Sequence, residues 1–404
     1  MNGQPLATLP ALHAGRIRSL DAFRGLTFLV MVFVNELHGV SGIPAWARHM
    51  PADADAMSFV DVVFPAFLFI VGLSIPFALQ RRLQLGEQGW ALQRHVGSRA
   101  LALVVMGYFM VNAESGFNPA FMVVPMPVWS LLLYLAFLLV WGVFPLEPQV
   151  LRQTLRLAGV LLLLLLAALY RGGPDGRQTM TPQWWGILGL IGWAYGAACV
   201  LYQLARGRVA MLLVMVAACT VYYGVSHLHS GADNPVQGWL LSHDGHAAHT
   251  SIVLCGVVCA LIFFQAGQPD DAVARFAKTS LLLLALVAAG ALTRPLFGIS
   301  KIHATPAWCF YSAAWCVGLF AALHALVDRR GLQRWTAWVA PAAQNPLVLY
   351  LLPFVIGAAL QALGWGLPPL LRQGVPGVLW AAAYAVLVMA LVGWINRVPV
   401  RLQL

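Results

Sequence analysis

Charge is what this sequence has least of. Only 9% of its 404 residues are Asp, Glu, Lys or Arg, where a soluble domain carries about 25%, and that excludes a water-soluble globular enzyme. Polar low-complexity stretches and heptad repeats are missing too, which removes a disordered chain and a coiled coil. The six cysteines (Cys199, Cys219, Cys255, Cys259, Cys309, Cys316) all lie in apolar runs without CxxC or Cys/His metal spacing, so they read as small packing residues. No GxGxxG, Walker A or GxSxG motif stands in a suitable context. The usual nucleotide-binding and hydrolase mechanisms go with them.

What is present is apolar length. Hydrophobic residues make up 60% of the chain, 37 Gly and 24 Pro are scattered among them, and the mean hydropathy is +0.78. A helix crossing about 30 Å of hydrocarbon needs roughly 20 such residues, so the chain is expected to be an all-α polytopic membrane protein of about 12 (10 to 12) spans. They are placed near residues 22–40, 60–79, 97–112, 127–145, 154–170, 184–204, 208–226, 249–267, 279–296, 306–327, 338–362 and 376–395. Residues 1–404 are read as one transmembrane domain, with 1–20 a short cytoplasmic lead-in and 21–110 the part richest in motifs. The first residues are mixed in character and the first apolar run is long, so no cleaved signal is expected.

Twelve spans put both termini on one side, and the basic residues choose it. Eighteen of the 24 Lys and Arg fall on the terminal side, among them Arg16, Arg18, Arg24, Arg81, Arg82, Arg206, Arg208, Arg329 and Arg330. Arg48, Arg171, Arg177, Arg294, Lys301 and Arg372 fall on the other. By the positive-inside rule both termini are expected in the cytoplasm. Most of the histidines and much of the acid fall outside: His38, His49, Asp53 and Asp55, then His227, His229, Asp233, His243, Asp244, His246 and His249.

Two segments carry groups able to do chemistry. In RIRSLDAFRGLTFLVMVFVN, Asn35 closes an apolar run, and a carboxamide at that depth should face protein or a water-filled cavity, where it can donate to an oxyanion. Asp21 and Arg24 fit an interfacial salt bridge as well as a ligand role. In ARHMPADADAMSFVDVVFPAFLFIVGLSIPFALQRR, Asp61 lies about one turn inside a span. A carboxylate there is costly enough to be a functional hypothesis, with a His or Arg partner expected. His49 is the neighbour in sequence, and a carboxylate-oriented His is a general base near neutral pH. His243, His246 and His249 could line a helical face as metal ligands, but no HExxH pattern completes them and no metal is expected.

These segments resemble a family, the transmembrane acyltransferases typified by heparan-alpha-glucosaminide N-acetyltransferase and its bacterial relatives. The family pattern, roughly R-L-x-S-L-D-x-x-R-G, a run ending V-N, an H-A pair, then D-L-V-F-P-x-F-x-F-I-V-G, is matched over about sixty residues. FGISKIHATPAWCFYSAA is similar to the family's N-K-x-L-W-T-P-S, keeping Lys301, Thr305 and Pro306 and departing at Ser300, His303 and Ala304. PAAQNPLVLYL is similar to P-G-M-N-S-I-L-V-Y at Asn345 and Tyr350. The resemblance implies that His49 stands at the active-site histidine position and Asn35 at the active-site asparagine position. The loop between them is a few residues longer than in the heparan enzyme, which makes His38 the second candidate. The heparan enzyme's large lumenal domain is expected to be absent, so the resemblance does not carry over its glycosaminoglycan acceptor.

What the resemblance implies for function is transfer of an acetyl group from cytosolic acetyl-CoA to an amino sugar or other glycan outside a bacterial inner membrane. Phosphates stay out of hydrocarbon, so Arg16, Arg18, Arg24, Arg81 and Arg82 are expected to hold the nucleotide end of the donor. His49 would be the base. Asn35 or Lys301 would stabilise the oxyanion, Asp61 would orient His49 or only secure its span, and Lys301, His38 and Asn345 would meet the acceptor. The expected partners are acyl-CoA, a sugar acceptor and the bilayer, without nucleic acid, and a homodimer is compatible with the family. The rival readings are a secondary transporter of a small solute, against which no repeat between the halves is visible, and a non-enzymatic subunit whose basic face binds anionic lipid.

Overall fold

The computed structural model describes residues 17–145, 149–228, 234–265, 271–398 and 401–402. Its helices are α1 (Arg18–Leu37), α2 (Val63–Gln84), α3 (Trp90–Glu114), α4 (Met126–Trp141), α5 (Gln149–Leu169), α6 (Gly186–Leu204) and α7 (Val209–Leu228). Then come α8 (Pro235–Leu241), α9 (Asp244–Phe264), α10 (Ala272–Phe297), α11 (Pro306–Leu323), α12 (Ala340–Gln344), α13 (Pro346–Ala362) and α14 (Gly374–Ile395). Strands β1 (Gly142–Val143) and β2 (Arg401–Leu402) form the one sheet among the described residues, an antiparallel pair. The protein is an all-α polytopic membrane protein.

Nine helices among the described residues are long and apolar enough to cross a membrane. The remaining expected positions are taken by α1, which carries Arg18, Asp21, Arg24 and Glu36, and by α4 and α13, which have 16 and 17 residues. Several expected boundaries differ, α5, α9 and α10 all beginning earlier than expected, and two of the differences have a local cause. The third span runs over Trp90–Glu114 rather than 97–112, because Arg94, His95 and Arg99 sit in its first turns, where long polar side chains can reach the interface. The span expected over 338–362 is broken at Asn345 (φ −142, ψ 63), between α12 and α13. Pro346 causes the break: it cannot continue a hydrogen-bond ladder, disfavours helix in the residue before it, and suits the first position of a new helix.

The chain forms two compact units. The first comprises the residues up to Phe23, then Pro44–Ala100 and Leu190–Gln333. At its centre α9 packs on α2 through two glycines: a Cβ on Gly72 would stand 1.9 Å from Val253 O, and one on Gly256 would stand 2.2 Å from Phe69 O. Helices in lipid gain nothing from merely hiding apolar surface, so such small-residue contacts hold them by close packing. Phe23, Phe69, Phe263, Phe264 and Phe320 interlock nearby at centroid distances of 5.2 to 6.3 Å. The second unit comprises Arg24–Ile43, Leu101–Gly189 and the residues from Arg334 onward. There α4 packs on α5 at Gly159, Asn112 bonds the carbonyls of Tyr108 and Thr181, and Trp380 donates to Glu36 at 2.7 Å.

Candidate active site

Within the first unit, three helices share a polarity. α2 begins beside Asp61 and ends at Arg81 and Arg82; α11 begins after Lys301 and is followed by a π-helical turn, His324–Arg329; α10 begins with Arg275 and Lys278 and ends before Lys301. Each spans about 25–40 Å at 1.5 Å per residue. One end of this unit is therefore rich in arginine, and the other gathers His49, Asp61 and Lys301.

Asp61 closes the short 3-10 turn Phe59–Val62 that leads into α2. It is the third residue after the N-cap Ser58, and the two form a capping box: Ser58 N donates to Asp61 Oδ2 at 3.0 Å, and Ser58 Oγ accepts from Val60 N. Met50 N adds a donor to the same oxygen at 3.3 Å, and Ser58 Oγ donates to Arg48 O at 2.8 Å. The other oxygen, Oδ1, lies 2.7 Å from His49 Nδ1. A carboxylate on Nδ1 selects the imidazole tautomer with its lone pair on Nε2. Asp61 is 1% exposed and His49 34%, so the imidazole is reachable while its orienting carboxylate is not.

Lys301 comes from 252 residues away in sequence. Its Nζ lies 3.1 Å from His49 Nδ1 and 3.3 Å from Nε2. The tight loop carrying it is closed by Thr305 N on Ser300 O and Ser300 N on Thr305 Oγ1. Ala304 takes φ +49 in this turn, a strained left-handed position for a residue with a Cβ. Burial pushes the Lys301 ammonium below the ordinary lysine range, while the Asp61 carboxylate pulls the other way.

Two contacts absent from the sequence reading bring these loops together. Asp55, at φ +41, accepts from Ile299 N at 2.8 Å and pairs with Arg294 at 3.2 Å, tying the His49 loop to the Lys301 loop. Trp308, fully buried on the first turn of α11, donates from Nε1 to the main-chain oxygen of Asp61 at 3.1 Å. The isolated ADAD stretch was the one local hint of the first contact. Nothing local marks Trp308.

The other expected site residues are divided between the two units. Asn35 is exposed near the end of α1, His38 is exposed just beyond it, and Asn345 is buried at the N-cap of α13, where its Oδ1 accepts from Leu402 N; all three belong to the second unit. Arg18 and Arg81 are exposed in the first unit, Arg82 pairs with Glu87 at 2.9 Å, Arg24 is half-buried in the second unit, and Arg16 lies outside the described residues. His249 is buried edge-on against Phe64 and Trp308. His243, the N-cap residue of α9, neighbours His246 on the first turn of that helix. His229 and Asp233 lie outside the described residues. Among the described residues no three His, Cys, Asp or Glu side chains converge as metal ligands.

Comparison with known proteins adds relatives to this geometry. Heparan-alpha-glucosaminide N-acetyltransferase of Homo sapiens is 34% identical over 105 residues, 26% of this chain and 15% of the human protein. The Mus musculus protein of the same name is 34% identical over 107 residues, again 26% and 15%. The match thus spans about 15% of the length of these relatives. A family model described as a domain of unknown function, DUF5009, matches residues 16–239, more than half of the sequence, and the chain therefore belongs to the DUF5009 family.

Proposed function

We propose that this protein is a membrane-bound acyltransferase that moves an acetyl group from acetyl-CoA to an amino sugar or glycan acceptor, with His49 as general base. The observation that carries the reading is the group His49, Asp61 and Lys301: a half-buried, accessible imidazole held at 2.7 Å by a buried carboxylate, with an amine 3.1 Å away. Partial similarity to an N-acetyltransferase supports the same reaction class. Both termini and the arginine-rich end face the cytoplasm of a bacterial inner membrane, and the His49 end faces the periplasm.

In this reading the donor's phosphates stay among the arginines, Arg18, Arg81 and Arg82 among them, and its thin pantetheine arm carries the thioester toward His49. A charged diphosphate cannot enter hydrocarbon cheaply, so the topology separates the nucleotide from the reacting carbon. Asp61 holds the Nδ1 proton, and Nε2 takes a proton from the attacking amine or hydroxyl. Lys301, when protonated, sets a positive charge against the oxygen of the tetrahedral intermediate. His49 then returns the proton to the departing thiolate. Asn35, which the family resemblance ties to the same reaction, is proposed to contribute to turnover.

The test is release of free CoA by the purified protein in a lipid nanodisc, supplied with acetyl-CoA and a panel of amino sugars, beside His49→Gln. Acetyl-CoA bound by both proteins with acceptor-dependent turnover in wild type alone is the expected result. Wild-type protein that binds no acetyl-CoA overturns the proposal and directs attention to solute uptake assays.

A further inference from the structure

The chain holds 24 Lys and Arg, yet only two are lysines, Lys278 and Lys301. Every other basic position uses arginine, whose guanidinium stays protonated and is a poor nucleophile; an amine can lose its proton and attack a carbonyl. Lys278 is exposed, in the first turns of α10. Lys301 is half-buried, and its Nζ stands within 3.1 to 3.3 Å of both ring nitrogens of His49. The Ser300–Thr305 and Asp55–Ile299 bonds hold its loop in place.

We propose that Lys301 is a self-acetylation site, modified by the acetyl thioester that the active site receives when no acceptor is bound; this rests on the acyltransferase reading given above. An acceptor amine must approach the thioester carbon within reach of His49, and Lys301 Nζ already occupies that neighbourhood. Groups held against one another in this way react as though at very high concentration. In the step, the Nζ lone pair attacks the thioester carbon, a C–N bond forms, the C–S bond breaks and CoA leaves as its thiol. The amine proton passes to His49 and from it to the sulfur. Burial, which disfavours the ammonium, raises the share of amine able to attack.

The product is an amide, so the acetyl group cannot be passed on. Acetylation also removes the cation beside His49. The modified protein is an inactive form that accumulates when donor is plentiful and acceptor scarce, and acceptor protects against it.

The experiment incubates the full-length protein in nanodiscs with acetyl-CoA, without acceptor, and follows acetyl occupancy of Lys301 and Lys278 by peptide mass spectrometry. Lys278 reports ordinary chemical acetylation of an exposed lysine. The expected result is acetylation of Lys301 at least about tenfold faster than Lys278, slowed by an amino sugar and reduced to the Lys278 rate in His49→Gln. The amino-sugar arm needs only wild-type protein, so it decides the matter even where the variant does not fold. Equal rates at the two lysines, with acceptor-dependent CoA release intact, overturn the self-acetylation and leave the acyltransferase standing. Equal rates with no CoA release under any acceptor overturn both.

Discussion

At the scale of the residue, Asp61 does two jobs with two oxygens. Oδ2 closes the capping box with Ser58 and Oδ1 meets His49. Asp61→Asn should therefore show two separable effects: a lower unfolding midpoint from the weakened cap, and loss of the Nδ1-protonated tautomer. By the precedent of carboxylate-oriented histidines, the second costs about 10³-fold or more in kcat. His49→Gln should cost about 10²–10⁴-fold in kcat, the range of a general base, with acetyl-CoA binding retained. Turnover at wild-type level in either variant sinks the assignment. Lys301 gives a pH signature. Its native pKa is below that of the unfolded chain, so the native state binds fewer protons between that value and about 10.4, and stability rises with pH across this window. The cost of the buried ammonium is fully present below the native pKa. Thermal midpoints of wild type should thus gain on those of Lys301→Met as pH rises from the native pKa of Lys301 toward the ordinary lysine value; a difference that stays flat contradicts the burial of the ammonium.

At the scale of the element, the site depends on where α2 and α11 begin. Trp308 fixes the two starts together through its bond to the Asp61 carbonyl, with the ring packed against His249. Trp308→Phe keeps most of the packing and removes the bond, so it should cost about 1 kcal/mol of stability and several-fold in kcat. If kcat is unchanged, Trp308 only fills space. The α2–α9 contact is tighter. Any side chain at Gly72 meets the backbone of Val253, and backbone cannot rotate away as a side chain can. Gly72→Ala should destabilise by about 1–3 kcal/mol through overpacking, measured as a drop in detergent unfolding midpoint, and Gly72→Val by more. Gly357, with open space around its Cβ position, is the control that should tolerate alanine.

At the scale of the whole molecule, the proposal requires a sidedness. Eighteen of 24 basic residues were assigned to one face from span parity, and in the first unit the arginine-rich helix ends are the ones remote from His49. A cysteine placed at Gly86, after α2, should react with an impermeant maleimide only in inside-out vesicles, and one at Asp175, after α5, only in right-side-out vesicles or spheroplasts. The background for both lacks the native cysteines, five of which are buried and one half-buried. Labelling of both positions from the same side overturns the orientation, and with it the route proposed for the donor.

The sequence by itself determined the class of molecule and the positions of its helices. In hydrocarbon every backbone group must be satisfied within its own segment, so apolar length and the Gly, Pro and charged residues between runs locate the helices with no knowledge of their neighbours. Where local chemistry was ambiguous the boundaries moved, at Arg94–Arg99 and at Asn345–Pro346. His49 and Asp61 were legible because they are 12 residues apart and one of them is a carboxylate inside an apolar run. Only the tertiary structure put Lys301 against His49, with Trp308 beneath Asp61 and Asp55 holding the two loops. Those contacts join residues 239 to 252 apart, and they arise from how α2, α9, α10 and α11 pack. Packing among lipid-embedded helices is decided by the fit of many small contacts, and no local pattern of residues encodes that fit.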